Sequence, residues 1–351
     1  MITSRSNLSS ATIHGKGKEQ SMLAQLKQFV ARSRLAIICW HIYDNWQTRR
    51  RFRVGKLAFT SGSTHTGMSL AESLRYIDTV FDDYLTYAGM TVEDLKDKRI
   101  LELGPGDNVG VVLKFLAAGA KQVVCLDKFF SKYDWRQQRE IYQSLRDALN
   151  ENERLIFDEV IDLEKGIKAN SQKLRYLYGC GIEVANKVLE PGSFDLIISR
   201  AVCEHLYDTD TAFAVMDRLL KSGGLMLHKI DFRDHNMFSA YKHHPLTFLT
   251  IPHSVYKMMS YDSGKPNRKL TNYYRGKAGE LGYDANILIT HIVGRKDEII
   301  PHKEKVLAGS DFSDATLSLL KNIRPRLQAE FKDISDEELM VDGIFLIMRK
   351  P

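Results

Sequence analysis

The stretch from Arg99 to Gly110 constrains the fold of this chain more than any other. It reads Arg-Ile-Leu-Glu-Leu-Gly-Pro-Gly-Asp-Asn-Val-Gly, so an apolar run ends directly in a cluster of glycines. The apolar run predicts a short buried strand, and the residues from Val109 to Ala118 predict a helix after the turn. Glycines leave backbone N–H groups open to a ligand, and the positive end of the helix faces the same place. The stretch therefore predicts a ligand-binding turn between a strand and a helix.

An acidic residue at the end of the next strand supports this prediction. The residues from Gln122 to Leu126 predict a second strand, and Asp127 follows it directly. A carboxylate in this place, about twenty residues past the glycines, commonly binds the two hydroxyls of a ribose. NAD-dependent dehydrogenases share this arrangement, so the two features alone leave the cofactor open.

Five short motifs decide between the cofactors. They are Leu-Glu-Leu-Gly-Pro-Gly106, Cys-Leu-Asp127, Gly-Ile-Glu183, Ser-Phe-Asp-Leu-Ile-Ile-Ser199 and Leu-Lys-Ser-Gly-Gly-Leu225. In content and order they resemble class I methyltransferases that depend on S-adenosylmethionine (SAM), and Glu102 argues against a dehydrogenase. The resemblance implies an α/β, Rossmann-like class I methyltransferase fold, with a seven-stranded, mostly parallel sheet and an antiparallel last strand. An N-terminal helical extension and lid insertions would be added to this core.

The resemblance also implies SAM as the cofactor and suggests the residues that bind it. They are Glu102, Gly104, Pro105, Gly106, Asp127, Lys128, Glu183 and Ser199. Glu102 and the glycines would hold the methionine end, Asp127 the ribose and Glu183 the adenine. The family more often has Asp at the position of Glu183.

The residues that follow the fourth predicted strand indicate the class of acceptor. Methyltransferases that modify nucleobases carry Asn or Asp, Pro-Pro and an aromatic residue here, whereas this chain has Ser199-Arg-Ala-Val-Cys-Glu-His205. This form resembles the branch that acts mostly on small molecules. No Pro-Cys pair is present at Cys203, which favours a buried thiol over a nucleophile. His205 either lines the acceptor pocket or packs in the core.

The most distinctive stretch is His228-Lys-Ile-Asp-Phe-Arg-Asp-His235. Strand alternation puts His228 and Ile230 on one face, and Asp231 lies at the carboxyl end, where open α/β sheets bind their ligands. A histidine beside a carboxylate can take a proton from an acceptor, so we expect His228, Asp231 and His205 to face the acceptor.

The same stretch contains three residues of types that bind metals, namely His228, Asp231 and His235. Their spacing matches no zinc signature, and a strand followed by a loop need not bring them together. We therefore predict no metal ligands, and a structural polar network is the remaining alternative to catalysis.

The sequence predicts a chain of three parts with several insertions. They are a flexible tail (1–20), a helical extension or cap (21–94) and a SAM-binding core (95–351) with insertions at 128–175, 236–275 and 300–340. The insertion at 236–275 is rich in His, Tyr and Arg, which favours a lid over a polar acceptor. Within it, Arg268 either holds an acidic group of the substrate or forms a solvated basic turn.

The N-terminal region raises the question of a membrane. A helix is predicted from Met22 to Trp46, with the apolar run Leu35–Trp40, and the basic run Arg49–Arg53 follows it. The apolar run is too short to span a bilayer. The helix could touch an anionic membrane surface weakly or pack on the core, and packing is favoured. The tail lacks a signal-peptide pattern and the four cysteines are scattered, which predicts reduced thiols in the cytoplasm.

These features together predict an enzyme. The balance of 50 basic and 44 acidic residues gives a net charge of +6, too mild to indicate nucleic acid as a partner. We expect SAM-dependent O- or N-methylation of a polar small-molecule acceptor, such as a sugar or specialised metabolite. The alternatives are an enzyme on the same fold that releases methylthioadenosine from SAM, a dehydrogenase, and a non-catalytic scaffold with a vestigial pocket.

Overall fold

A seven-stranded sheet forms the centre of the molecule in the computed structural model, which describes residues 32–56, 58–59 and 64–351. Its strands are β1 (Arg99–Leu103), β2 (Gln122–Asp127), β3 (Leu174–Tyr178), β4 (Phe194–Arg200), β5 (Leu220–Asp231), β6 (Asp284–Ile292) and β7 (Val341–Arg349). They lie side by side in the order β6-β7-β5-β4-β1-β2-β3. Only β7 runs antiparallel to its sheet neighbours β5 and β6, and the other paired strands are parallel. The predicted fold class is confirmed.

Helices cover both faces of this sheet. They are α1 (Arg34–Arg53), α2 (Leu70–Ala88), α3 (Gly110–Ala117), α4 (Trp135–Asp147), α5 (Glu151–Val160), α6 (Thr209–Leu219), α7 (His253–Ser260), α8 (Thr271–Leu281) and α9 (Asp314–Ile323). Shorter helical turns span Glu93–Leu95, Ile182–Lys187, Cys203–His205, Ser239–Tyr241, Pro245–Thr250, Arg324–Arg326, Ala329–Lys332 and Asp336–Leu339. Two small strand pairs join Ala58–Phe59 to Phe130–Ser131 and Ile161–Asp162 to Gly166–Ile167.

The central strands are apolar on both faces because each face is covered. Ile100 in β1 packs in the cluster formed with α2 to α5, whereas its neighbour Leu101 packs in the opposite cluster with α6. Parallel strands buried in this way form continuous hydrophobic runs. This burial fixes the register, which brings the carboxyl ends of β1, β2, β4 and β5 to one edge of the molecule.

The helix α2 begins and ends as its sequence predicts. The Ser69 hydroxyl accepts a hydrogen bond from the Glu72 N–H, and the Glu72 carboxylate accepts one from the Ser69 N–H, which is a capping box. The helix ends at Gly89 in the left-handed conformation. Ile77 lies so close to Gly110 that a Cβ there would collide with it. Glycine at this position therefore lets α2 cross the start of α3.

Two segments between β2 and β3 differ from the sequence prediction. The sequence from Arg154 to Ile161 indicates neither helix nor strand clearly; the structure places residues up to Val160 in α5, which starts at a capping box made by Asn150 and Glu153, and Ile161 in a short strand. The sequence predicts the third strand at Tyr176–Cys180, whereas the structure places it at Leu174–Tyr178, so this prediction was wrong by two residues. The reason is that β3 is an edge strand in which only Leu174 is fully buried, so the apolar pattern is weak.

The helix α1 also differs from its prediction. The part of that prediction before residue 32 lies outside the described residues, and the helix continues past Trp46 to Arg53, so the basic run forms its last turns. Arginine is a good helix former, and positive charge is favourable at a helix C-terminus. The helix packs on α7, because Asn45 donates to the Met258 carbonyl (3.0 Å) and accepts from the Asp262 N–H (2.7 Å). Among the described helices, none is both long and apolar enough to cross a membrane.

Candidate active site

The turn after β1 makes a close contact with the loop after β4. Gly104 and Gly106 have left-handed φ angles of 62° and 73°, which favour glycine. A Cβ on Gly104 would lie 2.6 Å from the Cγ2 atom of Val202. The Gly104 N–H donates to the Leu126 carbonyl at 2.9 Å, which ties the turn to β2. The ends of β1, β2 and β4 therefore meet at this turn.

Glu102 places a buried carboxyl group beside the turn. Only 8% of the residue is exposed. Burial raises the pKa of Glu102 to about 8; a hydrogen bond from the Cys125 thiol lowers it in part, and the charge of Asp127 raises it. The Sγ atom of Cys125 lies 3.8 Å from the carboxylate. No ion pair to Glu102 forms within the described part of the chain, so no lysine or arginine there neutralises this carboxyl.

Asp127 is a second acid at the same edge. Burial raises the pKa of Asp127 to about 6, although hydrogen bonds from the backbone of Phe129 and Lys128 act in the opposite direction. The Phe129 N–H donates to its carboxylate at 3.0 Å. Asp127 therefore sits at the end of β2 with a carboxylate that is oriented by the backbone and only partly solvated.

Lys128 and Glu183 flank the next strand end. The Oε2 atom of Glu183 would lie 2.5 Å from a Cβ on Gly181, and the Cδ atom of Lys128 would lie 3.9 Å from it. The Cys180 N–H donates to the Asp127 carbonyl at 3.4 Å, which joins β3 to the same edge. The structure thus brings together Glu102, the glycine turn, Asp127, Lys128 and Glu183. Their roles in cofactor binding stay predictions.

One contact at this edge was missed by the sequence analysis. The sequence suggests Asp107 or Asn108 as the cap of α3, whereas in the structure Asp107 accepts hydrogen bonds from the His65 N–H at 3.2 and 3.3 Å. Gln137 donates to the carbonyls of His65 (2.7 Å) and Met68 (2.9 Å). The segment was predicted as a flexible loop over residues 60–67, of which 60–63 lie outside the described residues. From residue 64 onward it is held over the glycine turn.

Ser199 and His228 form a buried pair inside the protein. The Ser199 hydroxyl lies 2.7 Å from Nδ1 of His228, and both residues are fully buried. Burial lowers the pKa of His228 to about 3 and raises that of Cys203, 3.5 Å from Ser199, to about 12. Strand alternation puts His228 and Asp231 on opposite faces of β5. The expected histidine beside a carboxylate is therefore not formed by these two residues.

A different polar group forms at the carboxyl ends of β4 and β5. We call it the acceptor-end cluster; it consists of Glu204, His205, Asp231 and His235. The rings of His205 and His235 are 4.8 Å apart between centroids. The Oδ2 atom of Asp231 lies 3.6 Å from Nε2 of His235, and Oε1 of Glu204 accepts from the Asp231 N–H at 3.3 Å. The predicted residues Asp231 and His205 are thus brought together by His235.

Two further side chains hold this cluster in place, Asn267 from far along the chain and Asp234 from within the motif itself. Asn267 donates to the carbonyls of Cys203 (2.8 Å) and Leu206 (2.7 Å), on either side of Glu204 and His205. Asp234 accepts from the N–H groups of Phe238 (2.8 Å) and Ser239 (2.7 Å), which shapes the loop that carries His235. Both are short polar side chains in loops, a type that commonly bonds to nearby backbone, and this was the available signal.

Arg268 lies neither in a solvated basic turn nor with its guanidinium free to hold an acidic group of the substrate. The residue is buried, its guanidinium donates to the Ile251 carbonyl at 2.6 Å, and it pairs with Glu330 at 3.0 Å. It also stacks on Tyr256, 4.3 Å from the ring centroid. Because these contacts occupy it, Arg268 joins the insertion to the segment before β7.

The electrostatics of the acceptor-end cluster are unusual. Burial raises the pKa of Glu204 well above its usual range. Burial lowers the pKa of His205 to about 3, and His235 adds to this effect. Burial would also raise the pKa of Asp231, but His235, 3.6 Å away, and Arg233, which donates hydrogen bonds to it, outweigh burial and hold that pKa well below its usual range. At pH 7 Asp231 is therefore ionised and His205 neutral, and burial favours the uncharged form of Glu204.

Comparisons with known proteins agree with this architecture. A family model described as a methyltransferase domain matches residues 74–278. A search of curated proteins finds no match to the chain.

Solved structures of low identity resemble the chain. For phosphoethanolamine N-methyltransferase 2 from Haemonchus contortus, solved with SAM, the identity is 17% and the TM-score 0.41, over 78% of this chain and 52% of that one. An arsenic(III) SAM methyltransferase from Chlamydomonas reinhardtii has 16% identity and a TM-score of 0.38, over 78% of this chain and 71% of that one. A SAM-dependent methyltransferase from Mesorhizobium loti has 14% identity and a TM-score of 0.37, over 78% of this chain and 100% of that one. The chain spans about half the length of the Haemonchus protein.

Proposed function

Because this chain belongs to the class I SAM-dependent methyltransferase family, we propose that it methylates an oxygen or nitrogen atom of a polar small molecule. The acceptor, a sugar or another polar metabolite, would bind at the carboxyl ends of β4 and β5. The observation that supports this most is the acceptor-end cluster, a largely buried polar group next to the loop that touches the glycine turn.

The residues at the cofactor edge fit SAM. The cofactor carries a positively charged sulfonium and an ammonium group, and Glu102 is a buried carboxyl with no cation partner among the described residues. The glycines at 104 and 106 put no side chain of their own on the turn, although Val202 packs against Gly104. Glu102 and the turn would hold the methionine end, Asp127 the ribose hydroxyls and Glu183 the adenine. When bound, SAM supplies an electrophilic methyl group on sulfur.

The chain itself links the two sites. Gly104 approaches Val202 closely, and Glu204 and His205 follow Val202 within three residues. An acceptor held by the cluster would therefore lie next to the cofactor turn. Holding two reactants in line can supply on the order of 7 to 11 kcal/mol of the barrier. Asp231, which stays ionised, would stabilise positive charge that develops on the acceptor atom as it receives the methyl group.

The direct test uses SAM with a labelled methyl group and a panel of sugars, amino sugars and polyols. We expect label in one class of acceptor and S-adenosylhomocysteine as the other product, separated by chromatography. Release of methylthioadenosine would instead support an enzyme that uses SAM without methyl transfer. Absence of SAM binding by the folded protein would contradict the proposal as a whole.

Replacement of the ribose-binding acid is the first mutation to make. Asp127→Ala removes a charge-assisted hydrogen bond, worth about 1.5 to 3 kcal/mol, so the Kd for SAM should rise about 10- to 100-fold. Isothermal titration calorimetry measures this. Asp284→Ala, at an exposed aspartate at the start of β6, is the matched control and should bind SAM like the wild type. Unchanged affinity in Asp127→Ala would contradict the assignment.

We also infer that α1 touches an anionic lipid surface. Its inner face packs on α7, whereas Trp40, Tyr43 and Trp46 on its outer face are 59%, 51% and 53% exposed and touch one another. The exposed Arg50 lies over Trp46, 5.8 Å from the ring centroid, and further arginines follow. Exposed aromatic rings beside arginines are typical of helices that lie at a membrane interface.

Sedimentation with lipid vesicles tests this contact. The full chain should bind vesicles that contain phosphatidylserine and leave vesicles of pure phosphatidylcholine unbound, and added salt should weaken the binding. The double variant Trp40→Ala, Trp46→Ala should lose it. Equal binding to both lipids, or a dimer in solution that the double variant abolishes, would contradict a lipid partner.

A further inference from the structure

Three buried polar atoms in the acceptor-end cluster have no hydrogen-bond partner within the described residues. They are Oε2 of Glu204, Nδ1 of His205 and Nε2 of His235. Glu204 is the most enclosed, with only 1% of the residue exposed. Buried polar groups are nearly always paired, because an unpaired one loses its hydration without compensation. Three such atoms in adjacent residues indicate a ligand that pairs with all of them.

The donor set identifies the class of ligand. Glu204, His205 and His235 each offer a ligand atom, and these atoms lie within 4.8 Å of one another. Two imidazoles and one carboxylate are a common set for a first-row divalent metal ion that keeps open positions. Around a tetrahedral ion with bonds of about 2.1 Å, neighbouring ligand atoms are on the order of 3.4 Å apart. Small side-chain rotations would bring the three atoms to this distance.

The surrounding charges also favour a cation. Asp342 lies close enough to Asp231 of the cluster for their charges to interact, so a second acid adjoins it. Arg233, whose side chain is half exposed, pairs with Asp231. Among the described residues no lysine or arginine pairs with Glu204, and a divalent ion would supply a positive charge there.

The protein holds the three residues as metal sites require. Asn267 bonds to the backbone around Glu204, and its own N–H donates to the Glu204 carbonyl at 2.7 Å. The backbone of Gly264 forms a hydrogen bond with His205 that raises its pKa in part. Metal-binding histidines usually donate their second ring N–H to a carbonyl or carboxylate in this way.

We propose that Glu204, His205 and His235 bind one divalent transition-metal ion, of the Zn²⁺ or Fe²⁺ class, at the acceptor end of the sheet. No metal was predicted at His228, Asp231 and His235, and of these three only His235 belongs to the proposed set, because His228 is fully buried in the interior. Asp231 contributes negative charge next to His235. The ion binds independently of SAM and of any acceptor.

The test is a titration of the metal-free full chain with Co²⁺, which gives a visible absorption band when nitrogen and oxygen ligands enclose it. We expect one Co²⁺ per chain, displaced by Zn²⁺. Glu204→Gln and His235→Gln should each weaken binding by at least about 100-fold, more than the loss typical of outer-shell changes. His302→Ala, in an acid–histidine group already containing a lysine, is the matched control and should bind like the wild type.

Three results would overturn the proposal. They are no stoichiometric Co²⁺ or Zn²⁺ bound to the wild type, full binding by both ligand variants, or equal loss in the His302 control. Circular dichroism and SAM calorimetry on the same metal-free samples show that each variant is folded. Since SAM binding is measured without metal, its failure would contradict the methyltransferase proposal and leave the metal result standing.

Discussion

Two groups of acids and histidines lie at the sheet, and they differ in one lysine. In the first, Asp83, Glu298 and His302 surround Lys229, whose Nζ lies 3.3 Å from Asp83 and pairs with Glu298. Arg200 adds a second cation to Asp83 at 2.6 Å. In the acceptor-end cluster no lysine or arginine pairs with Glu204 within the described residues.

This difference separates structure from function. The first group contains its own cations: Lys229 pairs with Asp83 and Glu298, and Arg200 pairs with Asp83. His302 stacks on Tyr87 with 3.7 Å between ring centroids, and its Nε2, which makes no hydrogen bond, lies 3.3 Å from Glu298. The acceptor-end cluster keeps three unpaired atoms, and burial raises the pKa of its Glu204 carboxyl well above the usual range. Acids and histidines therefore form an ion-pair network around Lys229. In the acceptor-end cluster, which contains no lysine, they form a candidate ligand site.

The largest effect should come from removal of that lysine. Lys229→Met leaves Glu298 without its lysine and Asp83 with Arg200 alone, so we expect the free energy of unfolding to fall by about 3 kcal/mol, the lower end for a broken buried pair. Urea unfolding measures it. Lys221→Met, in the more exposed pair with Asp195 on the same strand, is the control and should lose less than about 1 kcal/mol.

The corresponding variant in the acceptor-end cluster should change the free energy of unfolding little. Glu204→Gln keeps the shape of the carboxyl and removes a charge that burial disfavours, so its unfolding free energy should stay within about 1 kcal/mol of the wild type. A large loss of unfolding free energy in Glu204→Gln, or no loss in Lys229→Met, would contradict the comparison. The stability of both groups would then depend on charge in the same way.

A pH series extends the comparison to Glu102, another buried acid that pairs with no lysine or arginine among the described residues. Its folded pKa of about 8 lies above the ordinary value of 4.5, so the folded protein holds an extra proton between these values. This contribution to stability is complete below pH 4.5 and is lost as the pH rises through 8, at up to about 1.4 kcal/mol per pH unit.

The affinity for SAM should show the opposite trend over the same range. A bound cation favours the ionised carboxylate, so binding should release a proton near pH 7 and strengthen as the pH rises. Calorimetry in buffers of different ionisation enthalpy measures the proton release. In Glu102→Gln both pH effects should disappear, and a slope equal to that of the wild type would assign them to another group.

The smallest effect is expected at His228, whose hydrogen-bond partner, Ser199, is uncharged. Ser199→Ala removes the hydroxyl bonded to His228 and leaves its Nδ1 unpaired, which should cost about 1 kcal/mol in urea unfolding. Because that hydroxyl lies in the interior, SAM affinity should not change, as in the control Ser193→Ala at the other end of β4. A tenfold weaker affinity would support Ser199 as a cofactor ligand after all.

Much of the fold could be predicted because its signals are local. Buried parallel strands such as Phe194–Arg200 are continuous apolar runs, and the capping box at Ser69 marks a helix start within four residues. The bounds of the edge strand β3 were predicted wrongly, because a strand with one buried residue has no continuous apolar run. The cofactor edge followed from motif order and spacing along consecutive strands.

The acceptor end could be predicted only in part, because contacts there depend on distant parts of the chain. His228 and Asp231 are close in sequence, yet the pleat of β5 sends them to opposite faces. Their actual partners are Ser199 and His235. The role of Asn267, more than sixty residues from the turn it holds, requires the folded structure.

That single amide has a wider consequence for how the enzyme could diversify. Asn267 belongs to the insertion that follows β5, yet it fixes the backbone that presents Glu204 and His205. Changes of length or sequence in the insertion would therefore reposition the reacting end without touching the cofactor edge. Selection for a new substrate could act on this one segment while the binding of the methyl donor stays the same.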